Sequence, residues 1–389
     1  MQQIPPTIST ARTTAPPQRA EPAHPGTPSA PSRTEPPASA EPPGKPSART
    51  AGADPTRDPW WDNARYVSAT LIVVLHTIGS VMERHESLQA FHVATWALRV
   101  PLFVVLAGVF SAAAPLDAHR LRGIVRSIAL PAALFSLLYS LEMVALGNEF
   151  KLHVTQLPWT LWFLMSLICW RLLLPVVVLL RYPLAVTSVV ALAAGYVDEL
   201  GLAFSASRTV VYLPLFLIGW RIGQGSLRGW FTARWTLPVA VAALAGGTLV
   251  GWLGHDRVKG TWTSMRHPYT SADTLGLYGA WVIRLLVLAG AVALVLCLLR
   301  VVPRRRIPFV SALGAGGFTI YLLHPLVILP VRETGWIARA NTPAELAGLV
   351  LCAVTLTAVL GSRPVRRLVR PLTRPPMGWL FAPAGRRAA

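Results

Sequence analysis

The chain has 389 residues, of which 53% are hydrophobic and only 14% charged, with 34 prolines and a formal net charge of +19. A soluble globular protein carries nearer a quarter charged residues, which excludes an ordinary soluble enzyme. An all-α, polytopic transmembrane helix bundle is expected instead.

The first segment, residues 1–58, is rich in Pro, Ala, Ser, Thr and Arg, and fifteen prolines precede Trp60. It lacks the large apolar side chains that would offset its ordering entropy, so it reads as a disordered tail. It has no apolar h-region of a signal peptide. Its arginines are scattered among prolines, which fits a solvated tether better than a lipid- or nucleic-acid-binding arm.

From Trp60 onward, apolar runs of membrane-spanning length alternate with short polar links. Ten are expected, over 66–82, 93–114, 124–146, 159–180, 182–198, 209–224, 235–253, 275–299, 312–331 and 343–361. Residues 59–361 thus form the membrane domain, and 362–389 a basic tail. One set of links holds twelve Lys and Arg, including Arg120, Arg122, Arg126, Arg171 and Arg300, and the alternate set holds eight, including Lys151. Seven further arginines lie between Arg363 and Arg387. The positive-inside rule then puts both termini in the cytoplasm, which requires an even number of spans. The basic charge is a topology signal, so membrane lipid is the expected partner and nucleic acid is not. A multi-pass protein of the cell membrane is expected. Trp60, Trp61, Trp159 and Trp162 fall at span ends, where indoles favour the interface. Cys169, Cys297 and Cys352 are dispersed within apolar runs, which supports neither a disulfide framework nor a metal site.

Ionisable groups at membrane depth are costly and mark function. The first span carries Arg65 and His76, eleven residues apart. At about 100° per residue they return to within roughly 20° of one another, so both project from one helix face. Asp62, Thr70 and Ser80 fall near that face. The same stripe also suits a histidine capped by a backbone carbonyl in a bundle packed for stability.

This arginine-to-histidine spacing resembles the acyltransferase-3 family of integral membrane acyltransferases. Arg99-Val100-Pro101-Leu102-Phe103 through Gly108-Val109-Phe110 resembles the family's second span, with Ala107 where serine is frequent. The stretch from Arg122 through Arg126 to Pro131 resembles its basic link, Leu161-Trp162-Phe163-Leu164 its "WFL" segment, and Thr319-Ile320-Tyr321-Leu322-Leu323-His324 its late span. Asp62-Asn63-Ala64-Arg65 is similar to the branch related to fucose 4-O-acetylases, although lysine is common there at the place of Arg65. The resemblance covers about residues 59–361.

The resemblance implies acyl transfer, acetyl by default, from acyl-CoA to a hydroxyl of a carbohydrate, glycolipid or other cell-envelope acceptor. Acyl-CoA is a co-substrate, and no permanently bound cofactor or metal is expected. His76 is assigned as general base, a covalent acyl-histidine being the variant. Arg65 lies about 16 Å from it along the helix, and is assigned to the donor's phosphates at the cytoplasmic mouth. Arg120, Arg122 and Arg126 are its helpers there, or ordinary positive-inside residues. Arg99, Glu142 and Arg284 fall in the outer third of their spans. Glu142 is expected to orient His76 or to pair with Arg99. Arg99, Arg284, His324 and Trp162 are the acceptor-binding candidates, and His324 equally suits a bond to a backbone carbonyl. The outer link Gly254–Thr274, with His255, Asp256, Arg257, Trp262, Arg266, His267 and Tyr269, is a lid or a plain loop. A transporter or flippase, or a catalytically silent scaffold, would use the same intramembrane charges; no inverted repeat supports the former. Oligomeric state is not legible.

Overall fold

Asp58 accepts a hydrogen bond from the Trp60 backbone N–H at 2.9 Å, and Pro59 takes the first turn, so helix α1 (Pro59–Ile78) starts at a well-made cap. The computed structural model describes residues 58–150, 155–201, 203–269, 276–378 and 380, and no strand occurs among them. The N-terminal tail, Lys151, residues 270–275 of the outer link and the end of the C-terminal tail lie outside these residues.

Helix α2 (Glu86–Ala94) is bent by 57° at Thr95 from the stretch Trp96–Val109, in which a single turn, Trp96–Leu98, leads into α3 (Val100–Val109). Helix α4 (Ala118–Ile124) runs through a π turn, Val125–Ala129, into α5 (Leu130–Ala145), making one rod of 28 residues. There follow α6 (Trp162–Val177), α7 (Pro183–Ala193), α8 (Ala206–Gly223), the short α9 (Arg228–Thr232) and α10 (Thr236–Leu253). After the short α11 (Gly260–Ser264) comes α12 (Gly276–Val301), then α13 (Pro308–Gly314) and α14 (Gly317–Glu333), bent by 74°. A capping box of Thr342 and Glu345 opens α15 (Pro343–Gly361), and two short helices, α16 (Arg363–Leu368) and α17 (Arg370–Thr373), close the described chain.

Each of the ten apolar runs falls on a helix or a bent pair. Among the described residues, five helices are long and apolar enough to cross a membrane, and up to seven spans result if each bent pair is one. The other three differ for physical reasons. With 16 and 11 residues, α6 and α7 are short of a straight crossing. Helix α1 has 20 residues, but Asp62, Asn63, Arg65 and His76 depress its hydropathy.

Backbone contact holds the core. A Cβ on Gly108 would overlap the carbonyl of Phe216, and one on Gly219 the carbonyl of Val105, so α3 and α8 cross at backbone distance. Trp170 of α6 donates to the Thr209 carbonyl of α8 at 2.8 Å, and Thr209 donates to Ser166 at 2.8 Å. Gly219→Leu is therefore expected to destabilise the bundle by at least about 3 kcal/mol, beyond the usual overpacking range. Gly229→Ala, where nothing would meet the new Cβ, should stay within about 0.5 kcal/mol. Thermal unfolding of the detergent-solubilised proteins checks both.

Candidate active site

Asp62, Asn63 and Ser68 of α1 are buried, so each needs a partner. Trp60 Nε1 donates to the Leu299 carbonyl at 2.9 Å. Asn63 donates through Nδ2 to the carbonyls of Pro303 (2.8 Å) and Arg305 (3.1 Å), and its Oδ1 accepts from Ser311 at 2.7 Å. Ser68 donates to the Arg99 carbonyl at 2.9 Å. One edge of α1 is thus stitched to the α12–α13 link and to the bend between α2 and α3. That fixes the helix's rotation and depth, and with them Arg65 and His76.

The Arg65 guanidinium meets Asp62 at 2.5 Å and stacks over the Phe110 ring at 4.2 Å. Phe110 walls a cavity of about 660 Å³, which Arg120, Arg126, Arg171, Arg370 and Arg374 also line. No carboxylate is among the lining residues. Arg120 is clamped by the carbonyls of Ala112 (3.1 Å) and Ala114. The Nε of Arg171 is buried with no hydrogen-bond partner. Five guanidinium groups around one space make a site for a polyanion such as the phosphates of a nucleotide. Arg122 is not part of the lining.

Eleven residues along α1, His76 is partly exposed. Its ring centroid lies 4.7 Å from that of Trp159 and 5.4 Å from that of His324. The charges of Arg99 and Arg332 act on it, and Arg332 also sits over the Trp159 ring at 5.8 Å. His324 is fully buried, and its Nδ1 lies 2.9 Å from the Ile320 carbonyl. A carbonyl only accepts, so Nδ1 carries the proton and Nε2 presents a lone pair. That Nε2 has no hydrogen-bond partner. His324 therefore makes the expected backbone bond and still faces His76 with an open acceptor.

The other expected residues divide. Arg99, at the bend, is buried and turns to His92 Nδ1 at 3.3 Å. Glu142 is half-buried beside Tyr139, with its Oε2 buried and unbonded. No hydrogen bond or ion pair joins Glu142 to His76 or to Arg99 among the described residues. Arg284 is spent on the carbonyls of His267 (2.6 Å) and Ala191 (3.3 Å) and on the Tyr269 ring, 4.4 Å away. Trp162 stacks on Tyr212 and takes the Arg208 guanidinium at 4.5 Å. It reaches the histidines only through the ring contacts of Phe163 and Tyr321. In the outer link, burial and then the charges of Arg266 and Arg208 hold His267 below its ordinary range. Among the described residues, no three His, Cys, Asp or Glu side chains converge as metal ligands would.

A family model described as an acyltransferase domain matches residues 58–362. The chain belongs to the acyltransferase-3 family. No curated protein matches it, and no solved structure does. The match and the apolar helices together make it a membrane acyltransferase. The matched stretch runs from the N-cap of α1 to the C-cap of α15. Arg370 and Arg374 lie beyond it, so this acyltransferase adds two arginines from outside the family domain to the basic cavity.

Sequence reasoning assigned Arg171 to topology and Trp159 to the interface, and gave Arg370 and Arg374 only to a tail. Residue type carried a signal, but nothing in the spacing placed the three arginines around one cavity or Trp159 beside His76. Asn63→Ala should cost this acyltransferase about 1–3 kcal/mol, since it leaves the Ser311 hydroxyl and two carbonyls without their partner. Chemical or thermal unfolding in detergent would measure it.

Proposed function

We propose that this acyltransferase moves an acyl group, acetyl by default, from acyl-CoA to a hydroxyl of a carbohydrate or other cell-envelope acceptor, with His76 as general base. One observation carries the reading. A partly exposed imidazole shares a helix with an arginine that lies against the wall of a five-arginine cavity. Phosphates in that cavity, and a thioester about 16 Å further along α1, match a donor with a charged head and a long uncharged arm.

A hydroxyl is a weak nucleophile at neutral pH, so its proton must leave as it attacks. The acceptor oxygen bonds to the thioester carbon, the C–S bond breaks, and its electron pair goes to sulfur. His76 takes the hydroxyl proton and returns it to the departing thiolate. The open Nε2 of His324 is suited to accept a hydrogen bond from His76 or from the incoming hydroxyl, holding either in line. Arg99 and Glu142, without a bond to His76, are assigned no proton transfer. We further propose that α1, α6 and α7 complete ten spans in the cell membrane. The basic cavity and both termini then face the cytoplasm, where acyl-CoA resides, as the distribution of arginines supports.

Membranes containing the full chain should transfer label from [14C]acetyl-CoA to an acceptor, and His76→Ala should abolish transfer while binding of the donor persists. Unchanged transfer in that variant would remove His76 as the base. Arg65→Ala should weaken donor affinity by about ten- to a hundredfold, the worth of a charge-assisted contact, with Arg65→Lys recovering part. Arg370 and Arg374 are exposed, so replacing either with alanine should cost only about two- to fivefold in donor affinity, and added salt should erase the difference. Equilibrium binding of labelled acetyl-CoA at two ionic strengths measures all three effects. For the orientation, a cysteine placed at His267 should react with an impermeant maleimide from outside the cell; reaction from the cytoplasm alone would overturn it.

A further inference from the structure

Two guanidinium groups act on His76, those of Arg99 and Arg332, and no carboxylate is among the groups that do. Arg99 is engaged, with its Nη1 3.3 Å from His92 Nδ1 and 3.5 Å from the Thr95 hydroxyl. Arg332, in the last turn of α14, differs. Its side chain is half-buried and makes no hydrogen bond or ion pair among the described residues. The guanidinium stands over the Trp159 ring, 5.8 Å from its centroid. Glu333, the next residue, is exposed and is not paired with it.

Trp159 brings this cation and the base to one indole. Its ring centroid lies 4.7 Å from that of His76 and 6.3 Å from that of His324. The backbone that presents the ring is fixed. Trp159 has a φ of +46°, a left-handed conformation that a bulky residue rarely adopts. The Leu161 N–H donates to the Pro158 carbonyl at 3.0 Å, and the Tyr321 hydroxyl donates to the Thr160 carbonyl at 2.5 Å. A cation in the last turn of a helix also complements the helix dipole. That role needs only nearness to the last carbonyls, and it does not call for an unbonded guanidinium against the aromatic neighbour of the base.

The reaction creates a charge that the resting site lacks. As the acceptor oxygen bonds to the thioester carbon, the C=O π pair moves onto the carbonyl oxygen, which becomes an oxyanion. On collapse the C=O re-forms, the C–S bond breaks, and the thiolate leaves with that electron pair and takes the proton held by His76. A base alone leaves the oxyanion uncompensated. A cation partly removed from water and without a permanent counter-ion is worth most where negative charge develops. We propose that Arg332 is the electrophilic partner of His76, its guanidinium donating to the thioester carbonyl oxygen as the oxyanion forms. This rests on the acyltransferase reading above and adds a second catalytic residue to it.

The test uses membranes containing the full chain, with [14C]acetyl-CoA as donor. Its second probe is trifluoroacetonyl-CoA, a ketone whose hydrate carries a tetrahedral carbon with an ionisable oxygen. Arg332→Ala should lower transfer at saturating acetyl-CoA by about a hundredfold, the usual cost of one oxyanion donor. The dissociation constant for acetyl-CoA should stay within about twofold, whereas that for trifluoroacetonyl-CoA should rise by about tenfold or more, since the contact is made only with the tetrahedral form. Arg332→Lys keeps the charge at the end of α14, makes a smaller demand on folding, and should recover part of both losses. Transfer at the unmodified rate in Arg332→Ala would overturn the assignment. So would lost transfer with unchanged affinity for trifluoroacetonyl-CoA, which would give the cation to an anionic group on the acceptor. Equal loss of affinity for both CoA ligands, in the alanine and the lysine variants alike, would make the contact structural. No transfer by the unmodified protein would instead remove the acyltransfer reading on which Arg332 depends.

Discussion

The polar edge of α1 is the constraint on which the rest of the structure depends. Asp62, Asn63 and Ser68 are 4%, 1% and 0% exposed, and groups so deeply buried cost free energy unless they are bonded. Asp62 is met by Arg65, Asn63 by the α12–α13 link and Ser311, and Ser68 by the carbonyl at the α2–α3 bend. These bonds specify one rotation of α1, because a turn about its axis would leave several of them unmade. Gly314 of α13 admits the Asp62 carbonyl where a Cβ would collide with it. With α3, α13, α14 and α15 packed around it, α1 is the axis of the bundle. Arg65 and His76 inherit their positions from that stitching.

Charge then divides the molecule. The cavity beside Phe110 gathers arginines from the α4–α5 rod, from α6 and from the end of α17. Arginines on separate helices repel one another, so their convergence without a carboxylate is maintained by backbone carbonyls, as at Arg120, and favours a bound polyanion. Elsewhere a guanidinium is neutralised in place. Arg284 is bonded to two carbonyls and covers Tyr269, and Arg208 covers Trp162.

Near His76 the same economy applies to imidazoles. His324 satisfies one nitrogen within its own helix and leaves the other open. An aromatic chain runs from Trp162 through Phe163 and Tyr321 to His324, and Trp159 touches both imidazoles.

The sequence by itself determined the helical class, the run-by-run placement of the helices, the membrane setting and the pairing of Arg65 with His76 on one face. All of these are local, set by composition over a span and by the 3.6-residue repeat. The family was legible too, because its motifs are short and linear. Tertiary structure decided which charges meet. Spacing along the chain says nothing of the distance between Arg126 and Arg374, or between His76 and Trp159, since those contacts are made by helix crossings and bends. Arg99, at the start of α3, lies against His92 of α2. The turn at Trp159, with its positive φ, places an expected interfacial indole beside His76. Such placements follow from packing and from the need to bond every buried polar group, which act on the whole bundle at once and leave no signature in any one segment.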